Sequence, residues 1–203
     1  MSAPPRTTNA ERSLTTRTRL MEATVECLAQ LGWSGTTTTV VAGRAGVSRG
    51  AQLHHYPTKA TLVVAAIEHL ATLRRDEMRR AAETLPGGAD RTAAVLDLLA
   101  AHHTGPLFTA ALEVWVAART DPALREALVP VEVKVGREVH RLTVEMLGVD
   151  ESRPGTRETV QATLDLMRGL GVANLLTDDS ARRQRLLRQW AHTLDTALEA
   201  SRG

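Results

Sequence analysis

Residues 36–59 read TTTTVVAGRAGVSRGAQLHHYPTK, an order of residue types that predicts a helix, a glycine turn, a second short helix and a proline stop. Thr36 or Thr37 can accept a hydrogen bond from a backbone N–H left unpaired in the first turn of a helix. Val40, Val41 and Ala45 then give that helix an apolar stripe. Gly46 tolerates the left-handed conformation that ends a helix, and Val47 is the apolar residue expected between two crossing helices. Ser48 can cap the next helix, on which Arg49, Ala51, Gln52, His54 and His55 combine a cation, a small apolar group, an amide and two imidazoles. Pro57 and Thr58 end it, and Lys59 opens another. Such a face suits base edges and phosphates, and two short helices crossing at a glycine turn are the arrangement that places it in a DNA groove.

Working outward, Leu20, Thr24, Cys27, Leu28 and Leu31 lie on one face of a preceding helix, and a long helix follows from Lys59. Three helices then form one head. The segment GWSGTTTTVVAGRAGVSRGAQLHHYPTKATLV, Gly32 to Val63, resembles the amino-terminal domain of the TetR family of bacterial transcriptional regulators. The resemblance runs from about Thr15 to Leu70 and rests on the Gly-Trp pair, the Thr-Thr cap, the Ala-Gly-Val-Ser turn and the Lys-x-x-Leu opening of the fourth helix. Leu53 stands where a tyrosine is frequent, Ala51 where a threonine is, and Tyr56 where phenylalanine is usual. Gly43 inside the second helix costs roughly 1 kcal/mol of helix propensity relative to alanine.

The expected fold is all-α with about nine helices. A mobile arm is expected over residues 1–13, a helix-turn-helix head over 14–60, and a helical domain for effector binding and dimerisation over 61–203. The fourth helix is expected from Lys59 to Thr84, and Asp90 is a cap for the fifth. Gly105-Pro106 separates a sixth reaching Thr120, and Asp121-Pro122 opens a seventh that Pro130 must kink or interrupt. Val160, Leu164, Met167 and Gly171 share a face of the eighth. Leu187, Trp190, Leu194 and Ala197 share a face of the ninth, with Ser180 or Asp179 as its cap. As sequence, these two stripes favour burial within their own domain; the resemblance implies instead that they pair with a second copy.

Base contacts are expected from Arg49, Ala51, Gln52 and Leu53, and phosphate contacts from Thr37, Ser48, His54, His55, Tyr56 and Lys59. One short helix reads too few bases, so a homodimer on a near-palindromic operator is expected. The resemblance implies repression relieved by a small molecule held among the later helices. Candidate lining residues are His102, His103, Phe108, Leu112, Trp115, Met146 and Met167, a set suited to a hydrophobic effector.

Other chemistries fit less well. Gly46-Val47-Ser48-Arg49-Gly50 matches G-x-S-x-G, but a hydrolase elbow needs a strand running directly into Ser48, and Ala42 to Ala45 fit a helix. A helical interaction module without DNA binding is the remaining alternative. His102 and His103 are adjacent, hence about 100° apart on a helix, a poor chelating pair. Gly169-Leu170-Gly171 lacks the third glycine of a dinucleotide fingerprint, since Asn174 stands there. No cofactor or metal is expected.

Charge is distributed unevenly. Residues 1–59 carry seven Arg or Lys against three Glu, a net of +4, whereas the remainder carries eighteen against twenty, a net of −2. Arg6, Arg12, Arg17 and Arg19 near the first helix are either solvated or poised for phosphate. With three Trp, one Tyr and one Phe, stacking on single-stranded nucleic acid is not expected. A single cysteine excludes an internal disulfide, and no apolar signal or membrane-length stretch is evident. A cytoplasmic protein is expected.

Overall fold

The computed structural model describes residues 9–199. Its described residues form nine α-helices: α1 (Asn9–Gly35), α2 (Thr38–Ala45), α3 (Arg49–His55), α4 (Lys59–Ala82), α5 (Arg91–His102), α6 (Pro106–Ala118), α7 (Pro122–Leu147), α8 (Thr156–Ala173) and α9 (Ser180–Leu198). A single 3-10 turn, Gly88–Asp90, precedes α5. The all-α expectation holds.

The arm expected over 1–13 lies outside the described residues as far as residue 8. From Asn9 the chain is already helical, because nothing between there and Leu31 breaks a helix and Glu11 places an acid in the first turn.

The chain divides into two compact units. Of the described residues, one comprises 9–70 and 109–131, the other 71–108 and 132–199. In the first, Leu20, Ala23, Cys27, Val41 and Leu62 form a core, with Ala45, Val47 and Tyr56 packed against it. Cys27 is buried, and burial raises its thiol pKa, which suits packing rather than redox chemistry. In the second unit, α5, α8 and α9 pack on one another. Their core includes Val95, Leu96, Leu99, Val160, Leu164, Met167, Leu187 and Leu194.

Several helix ends differ from expectation. α4 stops at Ala82 and α6 at Ala118, two residues short of Thr84 and Thr120. Asp90 makes no side-chain cap, since the 3-10 turn leads directly into α5. α7 is capped by Asp121, whose Oδ1 accepts the Leu124 N–H at 3.0 Å. It runs continuously through Pro130. At α9 neither Ser180 nor Asp179 caps. Asp178 accepts the Ser180 N–H at 3.0 Å, and Asp179 pairs with Arg182 at 2.7 Å.

Candidate nucleic-acid interface

The reading head is assembled by four local devices. α1 breaks at Gly32, whose φ of 67° is left-handed, and the buried Thr36 hydroxyl donates to the Gly32 carbonyl at 2.7 Å. Thr37, rather than Thr36, caps α2, its Oγ1 accepting the Val40 N–H at 3.2 Å. Gly46 then turns the chain at φ 62°, and the Val47 N–H closes on the Ala42 carbonyl at 3.0 Å. This is the glycine-terminated cap that satisfies the last carbonyls of a helix. Ser48 begins α3 with its Oγ accepting the Ala51 N–H at 3.2 Å. Gly43 has open space where a side chain would stand, and nothing in the structure explains its choice.

On α3, Arg49, Gly50, Leu53 and His54 are exposed together, with Ala51 and His55 half-buried beside them. The exposed stripe presents a guanidinium, a bare backbone, an apolar branch and an imidazole. Gly50 escaped the sequence reading because its φ is ordinary and its value lies in the side chain it lacks. His54 and His55 meet edge to face at 5.3 Å. Burial first, then the nearby charges of Arg17 and His54, lowers the His55 pKa, so its imidazole is neutral near pH 7 and offers one N–H. Arg17 of α1 therefore belongs beside the carboxyl end of α3. Arg6 lies outside the described residues, and Arg12 and Arg19 are exposed on α1.

Two expected contacts are corrected. Gln52 is fully buried, its Nε2 donating to the Tyr56 carbonyl at 2.6 Å. It serves the end of its own helix and faces away from any groove. Lys59 is turned back into the head, donating to the Trp33 carbonyl with its ammonium 3.7 Å from the indole centroid. Burial lowers its pKa, and the indole face compensates a partly desolvated cation. Tyr56 is half-buried against the head core. Thr37 and Ser48 accept cap bonds through oxygen, which leaves each hydroxyl proton free to donate outward. Because α2 is helical to Ala45, Ser48 does not stand on a strand-to-helix elbow.

The residues expected to hold an effector are divided between the two units. Leu112 and Trp115, both half-buried, fall in the first unit and the other five in the second. There His103 and Phe108 are buried, with rings edge to face at 5.6 Å, and His103 Nδ1 bonds the Leu99 carbonyl at 2.9 Å. His102 lines a cleft of about 150 Å³ with Arg74, Glu77, Met78 and Leu98. Met146 borders a different cleft, with Arg79, Arg91 and Leu142, and Met167 is sealed in the core.

The expected dimer stripe is likewise corrected. Val160, Leu164, Met167, Leu187 and Leu194 are buried within their own unit, because α8 and α9 cover α5. Gly171 packs so closely that an added Cβ would lie 2.2 Å from the His103 carbonyl oxygen and 2.7 Å from the Phe108 ring. Trp190 is half-buried and donates through its indole N–H to Thr163 Oγ1 at 3.2 Å. Only Ala197 of the eight is exposed. The large apolar side chains left exposed in α8, α9 and the segment joining them are Val172, Leu175, Leu176 and Leu186, with Leu176 96% exposed.

Residues 20–66 match the family model described as bacterial regulatory proteins, tetR family. The HTH-type transcriptional regulator CymR of Pseudomonas putida is 36% identical over 190 residues, covering 91% of each chain. Among solved structures, a protein of Pseudomonas aeruginosa PAO1 described as a transcriptional regulator aligns with a TM-score of 0.68 at 26% identity, over 97% of both chains. A TetR-family member from Streptomyces coelicolor A3 aligns with a TM-score of 0.63 at 23% identity, over 88% of this chain and 97% of that one. The second likeness speaks to the fold alone.

Proposed function

The chain belongs to the TetR family of bacterial transcriptional regulators, and on that premise we propose that this DNA-binding regulator is a homodimeric repressor, released from a near-palindromic operator by a small molecule. The observation that carries the proposal is the outward stripe of Arg49, Gly50, Leu53 and His54 on α3, held rigid by caps at both ends. Arg49 pairs with a base edge, and Gly50, Ala51 and Leu53 let the helix approach closely enough for it to do so. Thr37, Ser48, His54, His55 and Tyr56 contact phosphate. None of this requires a catalytic group.

Two heads about 34 to 36 Å apart would read successive major grooves on one side of the duplex. Val172, Leu175, Leu176 and Leu186 are the apolar surface offered for the two-fold contact, in place of the buried stripes of α8 and α9. Residues 61–203 then carry dimerisation and effector binding. The effector is hydrophobic, in keeping with the largely apolar candidate residues in each unit, Phe108 in one and Leu112 and Trp115 in the other. Coupling is reciprocal, so operator binding lowers effector affinity by the same factor. No helix among the described residues is long and apolar enough to cross a membrane, in keeping with a cytoplasmic regulator.

Selection of bound fragments from a random duplex pool by the purified protein tests the proposal. Paired half-sites one helical turn apart are the expected product. Recovery of no common sequence would favour the alternative, a helical interaction module that does not read DNA.

A further inference from the structure

The break in α1 is held by two oppositely charged side chains that meet on one residue. Glu113 of α6 accepts the Trp33 N–H through Oε2 at 2.9 Å, while Lys59 at the start of α4 donates to the Trp33 carbonyl and covers its ring. The left-handed φ of Gly32 interrupts the regular course of the helix, and Glu113 takes up the N–H of the very next residue. The approach is close: a Cβ on Gly32 would stand 2.9 Å from Glu113 Oε2.

From that point hydrogen bonds between near neighbours in the chain, and then helix packing, lead to the reading helices. The Thr36 N–H and hydroxyl both return to Gly32, at 3.2 and 2.7 Å. The next residue, Thr37, caps α2, and α2 packs on α3. We propose that Glu113 is a positioning residue for DNA reading: by fixing Trp33 it sets the direction in which the chain leaves α1, and hence the presentation of Arg49 on α3. This rests on the DNA-reading proposal above.

Simple electrostatics makes the opposite forecast. Removing an acid from a unit that meets polyanionic DNA should tighten binding to every duplex. Positioning instead lowers affinity only where side chains must register with bases, because a loosened head has to be ordered on binding.

The test uses the full chain as wild type, Glu113→Ala and Glu113→Gln, with two fluorescent duplexes of equal length. One is selected by the wild type from a random pool and the other is of random sequence, and both are titrated across a range of salt. The amide of Glu113→Gln keeps an acceptor oxygen while removing the charge. We expect Glu113→Ala to weaken the selected duplex about tenfold, with Glu113→Gln retaining most of the affinity. Random-duplex binding should not weaken in either, and the salt slope should not change.

Selected-duplex binding by Glu113→Ala as tight as wild type or tighter would overturn the proposal. So would equal losses on both duplexes, or Glu113→Gln losing as much as Glu113→Ala. Should Glu113→Ala melt below the assay temperature, Glu113→Asp carries the same expectation, since it keeps the charge but withdraws it by one methylene. A wild type that selects no common sequence would overturn the reading beneath the proposal, and the proposal with it.

Discussion

Gln52 Nε2 donates to the Tyr56 carbonyl oxygen at 2.6 Å, inside a head that wholly shields Gln52 from solvent. A side chain that could have read adenine instead completes the end of the helix that carries it. Its Oε1 is buried and makes no hydrogen bond, so the donor alone gives the residue its role. Gln52→Ala should lower stability by about 1–3 kcal/mol and leave the bases selected from a random pool unchanged. Thermal melting with repeated selection checks both. An altered base preference at unchanged melting temperature would restore Gln52 to the reading surface.

Arg49→Ala should cost about 1–3 kcal/mol on the selected duplex and far less on random sequence, because the exposed guanidinium of α3 is the group suited to a guanine edge. Titrations on both duplexes provide the comparison. Equal losses would move Arg49 from base reading to phosphate contact.

Lys59→Ala tests a point on which sequence and structure disagree. A lysine on a phosphate would flatten the salt dependence of DNA binding when removed. A lysine folded over Trp33 would instead take about 1–3 kcal/mol from stability and leave the salt slope near that of wild type. Chemical unfolding and a salt series separate the two.

Two glycines on α8 should respond in opposite directions. At Gly169 an added Cβ meets open space, so Gly169→Ala should stabilise the helix by up to about 1 kcal/mol. At Gly171 the same methyl meets the His103 carbonyl and the Phe108 ring, and Gly171→Ala should destabilise by about 1–3 kcal/mol. Equal melting temperatures for the two variants would contradict the close packing of α8 there.

Acid should weaken the second unit. Burial first, then the charges of His103 and Arg74, brings the His102 pKa down to about 4, and burial above all lowers that of His103. Unfolded histidines take up protons near pH 6.5, before the folded ones can. Stability is therefore complete above about pH 6.5 and declines as pH falls toward 4. Between pH 7.5 and 5, His102 should account for at most about 2 kcal/mol of the loss. Urea unfolding at both pH values, with His102→Leu expected to lose less than wild type, measures it.

The head was legible because its signals are local. A threonine cap, a glycine turn and a serine cap each act within four residues, so spacing along the chain already specifies their geometry. Gln52 and Lys59 were misplaced because their roles depend on residues that a helix face alone does not identify: the Tyr56 carbonyl, and a Trp33 twenty-six positions earlier. Periodicity found the stripes of α8 and α9 but could not say what covers them. Val160 and Leu194 look the same in sequence whether they meet α5 or a second copy. The effector residues were harder still, since apolar and aromatic types line cavities and fill cores alike, and Met167 does the latter.

The unit that holds the reading helices is discontinuous in the chain, built from residues 9–70 and 109–131. Transplanting this reader onto a foreign effector body would therefore require two separate inserts. A chimera joined at a single crossover after Leu70 would leave Glu113 behind, and Trp33 with a stranger's helix in its place.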